Sequence, residues 1–376
     1  MSYFKEKVKK TLRKSPTAKK IIKKLNEVAK QEEEKVLAYS GTPDAVAQAA
    51  SAANPQPVQV KQKVEKKPDV LFPLVKEYLY NKRINNFLLE REMGTGIRRW
   101  VIEQMYYSVI GRFPNLDNPR SLNEKMQWMR FNYHDPLMTR CVDKCSFKDY
   151  IREVVGEEYV VPLYGVWTNV NDIDFDALPN KFAIKSTWGW GDLQNILVYN
   201  KQGLDIHKTR AMLSNWLQPW NNYYYQSFEW DSKDIPPRII AEQLLEPSCG
   251  EIIDYKFYCY NGVCRHFLIC KDRKTKTKYI NYDLDFNCIK LSPNSYVTNE
   301  KFKPTESFDN MLKMAEKLAK PFPLVRVDFY DVDGKLYVGE LTFSPGGGFN
   351  TYYEEWDNKL GGYLQLPQAN VDLTAE

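Results

Sequence analysis

The chain has 376 residues, 43% of them hydrophobic and 14% aromatic, with a mean hydropathy of −0.55, the profile of a water-compatible globular protein long enough for two domains or one large one. No apolar run reaches the roughly 18–20 residues that cross a bilayer, and no apolar stretch follows the basic N-terminus, so a secretory signal is not expected. Seven scattered cysteines and three distant histidines argue against a disulfide framework and a zinc site, and a cytoplasmic location is the expectation.

The net charge of +5 belongs to one end, because residues 1–37 hold twelve Lys or Arg against five Glu. Within them Phe4, Val8 and Leu12, then Ile21, Ile22, Leu25 and Val28, recur at three- and four-residue spacings, which predicts a basic amphipathic helical tail broken near Ser15-Pro16. Three fates are open to residues 2–37: contact with an anionic membrane surface at its inner face, pairing with another helix, or solvation. No nucleic-acid partner is expected. Residues 38–69, rich in Ala, Pro, Gln, Ser and Val, read as a flexible linker.

Residues 70–140 read as a helical region. Ser121 followed by Glu124 forms a capping box for a helix carrying Met126, Trp128 and Met129. A domain over 141–367 follows. Cys141 and Cys145, one turn apart, read as core-facing side chains. Lys144 stands at the start of a helix running from Asp143 to Val155, where the dipole disfavours an ammonium, so an anionic partner from elsewhere or plain solvation is expected.

The strand Phe182-Ala183-Ile184 ends at Lys185 and feeds the loop Ser186-Thr187-Trp188-Gly189-Trp190-Gly191. Backbone N–H groups of such a loop, with one lysine charge, suit a polyphosphate. The order differs from the Walker loop, and a simple turn is the alternative. Aromatics crowd Trp216 to Trp230, either as core or as platforms for sugar faces. The buried strand after Arg238 ends at Glu242, where a carboxylate or carbonyl can accept from an exocyclic amine and apolar neighbours can sandwich a purine. A hairpin turning at Asn261-Gly262 follows, and then the basic loop Lys271 to Lys278, facing solvent or an anionic substrate.

The densest chemistry lies from Leu324 to Gly348. Val325 to Tyr330 and Leu336 to Phe343 flank Asp331-Val332-Asp333-Gly334, which predicts a β-hairpin. Arg326 and Asp328 share one strand face, and Glu340, Thr342 and Ser344 share another. A two-residue turn at Asp333-Gly334 would set Asp328 opposite Gly339 and turn Glu340 away, whereas an odd-numbered loop puts Asp328 and Glu340 on one face. Converging carboxylates require a cation or a proton between them. Their hard oxygens suit Mg²⁺, and Arg326 suits a phosphate or acyl phosphate oxygen. The exit Ser344-Pro345-Gly346-Gly347-Gly348 lets backbone approach a ligand closely. The alternative is a charged face that merely keeps the sheet soluble.

In order, PRSLNEKMQWM, VDK, GEEYVVPLYGVW, LPNKFAIK, PRIIAEQLLE, DYKFYCYNG, FPLVRVDFY and GELTFSPGGG, spread from Pro119 to Pro367, resemble the ATP-grasp superfamily in its TupA-like, teichuronopeptide-biosynthesis branch. The resemblance implies an α+β fold whose two subdomains grip ATP, with the helical region and tail added at the N-terminus. It implies that Lys144 and Lys185 hold ATP phosphates, that Gly189 and Gly191 belong to a mobile phosphate loop, and that Glu242 and Leu244 contact adenine or ribose. By the same resemblance Asp328, Glu340 and Thr342 hold Mg²⁺ and Arg326 meets the transferred phosphoryl group. Two departures stand out: Thr342 where many relatives carry Asn, and Thr187-Trp188 where an Asn-His pair is expected.

The implied activity is an ATP- and Mg²⁺-dependent carboxylate–amine ligase that forms an amide through an acyl phosphate. Its substrates would be an amine and a carboxylate-bearing saccharide or acidic residue of a cell-surface polysaccharide or glycopeptide. A glycosyltransferase using a nucleotide sugar is the alternative, because Asp331-Val332-Asp333 has the Asp-x-Asp form. A scaffold without catalysis is a further one.

Overall fold

The structure is a computed structural model that describes residues 96–189, 194–273 and 275–371. The readings for the tail, the linker and Gly191 lie outside the described residues. Four helices open the described part: α1 (Gly96–Ile110), α2 (Leu122–Asn132), α3 (Pro136–Val142) and α4 (Phe147–Val154). The predicted capping box starts α2, with the Ser121 hydroxyl accepting from the Glu124 N–H and the Glu124 carboxylate accepting from the Ser121 N–H. The helix predicted from Asp143 is two elements. Asp143 ends α3, and Lys144 lies in the turn before α4.

Strands β1 (Leu163–Trp167), β2 (Phe182–Ser186), β3 (Asn195–Val198) and β4 (Ile239–Glu242) make a four-stranded antiparallel sheet in the order β1-β4-β2-β3. Helix α5 (Ile206–Trp216) supplies Leu213 and Trp216 to the core of this sheet, against Phe182, Ile184, Ile239 and Ala241. The short helix α6 (Tyr224–Ser227) lies between α5 and β4.

The larger sheet runs β10-β9-β5-β6-β7-β8, all antiparallel, from β5 (Asp254–Tyr260), β6 (Val263–Lys271), β7 (Lys278–Asp283), β8 (Cys288–Ile289), β9 (Leu324–Val332) and β10 (Lys335–Thr342). The β5–β6 hairpin turns where predicted, with Asn261 and Gly262 at φ 48° and 81°. Strand alternation divides the sheet into two faces. Phe257, Cys259, Val325, Val327 and Phe329 point to one, packing on α4 and α7 (Phe308–Ala319). Tyr258, Tyr260 and Leu324 point to the other, under α2 and α8 (Glu354–Tyr363). Asp254, Lys256, Arg326 and Asp328 lie at the same parity as this second set, so the second face is apolar at one end and charged at the other. That charged end is where the site forms.

Candidate active site

The β9–β10 hairpin meets the parity condition by a route the sequence reading did not foresee. The turn is the two-residue Asp333-Gly334, since Lys335 pairs with Val332, and the odd residue sits inside β10. Register shifts between Val338 and Glu340, leaving Gly339 as a β-bulge and setting Glu340 opposite Asp328 and Thr342 opposite Arg326. Glycine is needed there, because a Cβ on Gly339 would stand 2.7 Å from the Tyr330 ring.

With that register the charged groups form an alternating chain across three strands. Arg326 donates Nε to Asp328 Oδ1 at 2.7 Å and an NH2 proton to Glu340 Oε1 at 2.6 Å. Thr342 Oγ1 donates to the same Glu340 oxygen at 2.9 Å. On the other side Lys256 bonds Asp328 and lies 3.4 Å from Asp254, which Arg273 from the basic loop also bonds. Asp328 is 1% exposed, whereas the Glu340 side chain is 46% exposed. Desolvation would raise the Glu340 pKa, but Arg326, Lys256 and Lys144 outweigh it and hold the carboxyl down to about 2. Both carboxylates therefore face one guanidinium, and Glu340 is ionised at neutral pH and open to solvent.

The lysines come from β2 and from the α3–α4 segment. Lys185 donates to Glu242 Oε1 at 2.5 Å, and Lys148 donates to Glu242 Oε2 at 2.8 Å and to the Val161 carbonyl at 2.8 Å. Burial raises the Glu242 pKa, yet the two ammonium groups bring it down to about 2. The structure thus turns the Glu242 carboxylate to two lysines rather than leaving it open to an exocyclic amine, because two cations outcompete a neutral donor. Leu244 is half-buried, two residues beyond β4. Lys144 bonds the Gly189 carbonyl, and its backbone N–H bonds the Thr187 carbonyl at 3.2 Å, so its hydrogen-bond partner here is a loop carbonyl. Asp143 accepts from Arg238 and from Ser146, at 2.6 Å for the latter, which fastens the Asp143-Lys144 turn to the strand that carries Glu242. The unusual loop pair is structural: Thr187 donates to the Pro236 carbonyl at 2.7 Å, and the Trp188 indole donates to the Trp216 carbonyl at 3.1 Å.

A cleft of about 730 Å³ joins the two sheets, and its lining includes Lys144, Gly189, Arg326, Glu340 and Thr342. Lys185, Glu242 and Asp328 stand behind these, each bonded to a site residue or to one another. At the far end the Pro345–Gly348 bend carries three successive glycines at φ 64°, 63° and 69°. Gln127 and Arg130 of α2 hold it, donating to the Gly348 and Gly347 carbonyls at 2.8 Å each. The Asp-x-Asp carboxylates are spent on their own turn: Asp331 accepts from Ser307 at 2.5 Å and from the Gly334 N–H at 2.9 Å, and Asp333 accepts from the Ser248 N–H at 2.8 Å. The aromatic stretch is divided, with Trp216, Tyr224 and Phe228 buried, Trp220, Tyr225 and Trp230 half-buried, and Tyr223 on the cleft wall.

Sequence reasoning missed Lys148, Lys256 and Asp254. Lys148 breaks an apolar helix face made by Phe147, Tyr150 and Ile151. Asp254 and Lys256 interrupt β5 with the same period as Arg326 and Asp328 interrupt β9. A charge on a buried face was the available signal in each case.

A group of three or more His, Cys, Asp or Glu able to hold a metal is absent among the described residues. Mg²⁺ ordinarily takes one or two protein carboxylates and completes its shell from water and phosphate. Asp328 and Glu340, paired in register and facing one counter-charge, fit that donor set.

The comparison with curated proteins returns no match. Among solved structures, D-alanine–D-alanine ligase from Bacillus anthracis is similar at TM-score 0.36 and 19% identity, covering 59% of this chain and 62% of that one. The corresponding ligase from Coxiella burnetii is similar at TM-score 0.36 and 13% identity, covering 64% and 60%. The ATP-grasp ligase PsnB complexed with minimal precursor is similar at TM-score 0.35 and 12% identity, covering 62% and 63%. The chain thus spans about three fifths of the length of these proteins, and at such TM-scores the assignment rests on sequence. The sequence profile of the TupA-like ATPgrasp family matches residues 124–365, from the capping box of α2 to the end of α8. The chain that builds this charged cleft belongs to the TupA-like ATPgrasp family.

Proposed function

We propose that the protein is an ATP- and Mg²⁺-dependent carboxylate–amine ligase acting on a saccharide-borne or otherwise acidic carboxylate in cell-surface polysaccharide or glycopeptide synthesis. The observation that carries this reading is the cleft itself. Lys144 and the Gly189 loop face Arg326 and Glu340 across it, with Lys185 and Asp328 bonded behind them.

Mg·ATP, when bound, supplies the phosphoryl group that turns a carboxylate into an acyl phosphate, from which an amine displaces phosphate. The chain's residues position and neutralise. Each ammonium has three donors, so Lys144 and Lys185 keep protons for phosphate oxygens beyond those given to Gly189 and Glu242. Asp328, Glu340 and Thr342 would hold Mg²⁺, and Arg326 would offset the charge that develops on the transferred group. Glu242 aligns Lys148 and Lys185. The Gly189 loop and the β4 end, with Leu244 beside Glu242, would bound the nucleotide.

The test is release of ADP and phosphate by the purified chain with Mg·ATP, uronic acids and amino acids. Asp328→Asn and Glu340→Gln each lower that release by roughly a hundredfold or more while the protein stays folded. Full activity in either variant removes the metal assignment, and release of nucleoside diphosphate from a nucleotide sugar without ATP use would favour a glycosyltransferase. The basic tail gives a separate reading, membrane-surface contact, which co-sedimentation with anionic vesicles tests.

A further inference from the structure

Beyond the phosphate end, the cleft narrows into an adjoining recess, and the two share Glu229, Asp231, Phe343 and Ser344. Asp231 is 6% exposed, and its Oδ1 is buried without a hydrogen-bond partner. The groups around it offset its charge only in part. Arg130 bonds Gln127 and the Gly347 carbonyl, keeps its Nε without a partner, and stands 3.8 Å from Glu229. Glu229 accepts from Tyr223 at 3.0 Å and adds a second negative charge. An orphaned buried carboxylate is costly, and such a cost is retained where a ligand supplies the missing donor.

We propose, resting on the ligase reading, that Asp231 and Glu229 form the subsite for the amine substrate, hold its ammonium, and pass its proton through Asp231. An ammonium brings a positive charge and N–H donors to the unpartnered Asp231 oxygen. Met129, Met138 and Phe343 line the narrow recess beside that corner. The ammonium gives one proton to Asp231, its lone pair attacks the acyl carbon, and the C–N bond forms as the C–O bond to phosphate breaks. The second proton leaves with the phosphate, and Asp231 returns its own to solvent. Burial first, and then the neighbouring Glu229, raise the Asp231 carboxyl to about 7 against the pull of Arg130, which suits it to exchange protons at neutral pH.

The experiment titrates ethylammonium, glycine, D-alanine and L-lysine into the full-length protein with Mg·ADP, read by tryptophan fluorescence. At least one amine binds, and Asp231→Asn and Glu229→Gln weaken it by roughly tenfold or more with Mg·ADP affinity unchanged. Asp231→Asn also raises Tm by about 2–4 °C, because it removes a buried charge whose desolvation outweighs what its neighbours return. A lowered Tm would mark a structural role and overturn the proposal. No amine binding, or equal binding in the variants, overturns it as well. Failure of Mg·ADP itself to bind would instead fell the ligase reading beneath it. With a turning-over carboxylate, Asp231→Asn loses activity with ethylamine but keeps it with hydroxylamine, which is unprotonated at neutral pH. Equal loss with both refutes the base role.

Discussion

Replacing Glu242 by Gln tests the electrostatic centre of the small sheet. Glu242 is held at about 2 against an ordinary 4.5, and at about 1.4 kcal/mol per pKa unit its ionised form favours the folded state by roughly 3 kcal/mol. Because the folded pKa is the lower one, that stability is fully present above about pH 4.5 and is lost as pH falls toward about 2. Lys148, 1% exposed, shows the opposite tendency, since burial lowers its pKa more than Glu242 restores it. The acid limb of the stability curve reads Glu242, the partner whose ionised form acidification removes. Glu242→Gln leaves the Lys148 ammonium with the Val161 carbonyl as its remaining partner, and removing one member of a buried pair costs about 3–5 kcal/mol. Urea unfolding of both proteins at pH 7, 5 and 3 measures this. The stability gap should be about 3 kcal/mol or more at pH 7 and shrink on acidification through that window. A gap below about 1 kcal/mol at pH 7, or one that does not change with pH, would refute the pairing.

The bulge and the helix contact give two further outcomes. Gly339→Val must displace the Tyr330 ring, which lies 2.7 Å from the added Cβ; we expect about 1–3 kcal/mol of lost stability and slower ADP release, and a variant as stable and active as the parent would show that the bulge has room. Gly361→Ala sets a Cβ 2.2 Å from the Arg120 carbonyl and 2.7 Å from the Ser121 carbonyl carbon. Backbone cannot rotate away as a side chain can, so a loss of about 2–3 kcal/mol is expected, and unchanged denaturant midpoints would mean that α8 is not seated on the start of α2.

The strands that carry chemistry were legible because each breaks its own pattern. Arg326 and Asp328 alternate with Val325, Val327 and Phe329, and one face of β9 had to be polar whatever the fold. The Ser121 and Glu124 spacing likewise fixed the start of α2, since both partners of that motif are local. The ordered short motifs carried the family, which the profile match over residues 124–365 supports.

What sequence by itself settled, then, is what depends on neighbours in the chain: strand faces, caps, turns, and the sign of charge each element offers. Tertiary structure decided everything that depends on register and on distant partners. The bulge at Gly339, not the length of the turn, brings Glu340 across from Asp328, and nothing local distinguishes an extra residue inside a strand from one in its loop. The partners of Lys148 and Lys185 lie 94 and 57 residues away at Glu242, so the role of that carboxylate follows from which strands pair. Coulomb attraction between such groups acts through space, and the folded chain is what sets their separation.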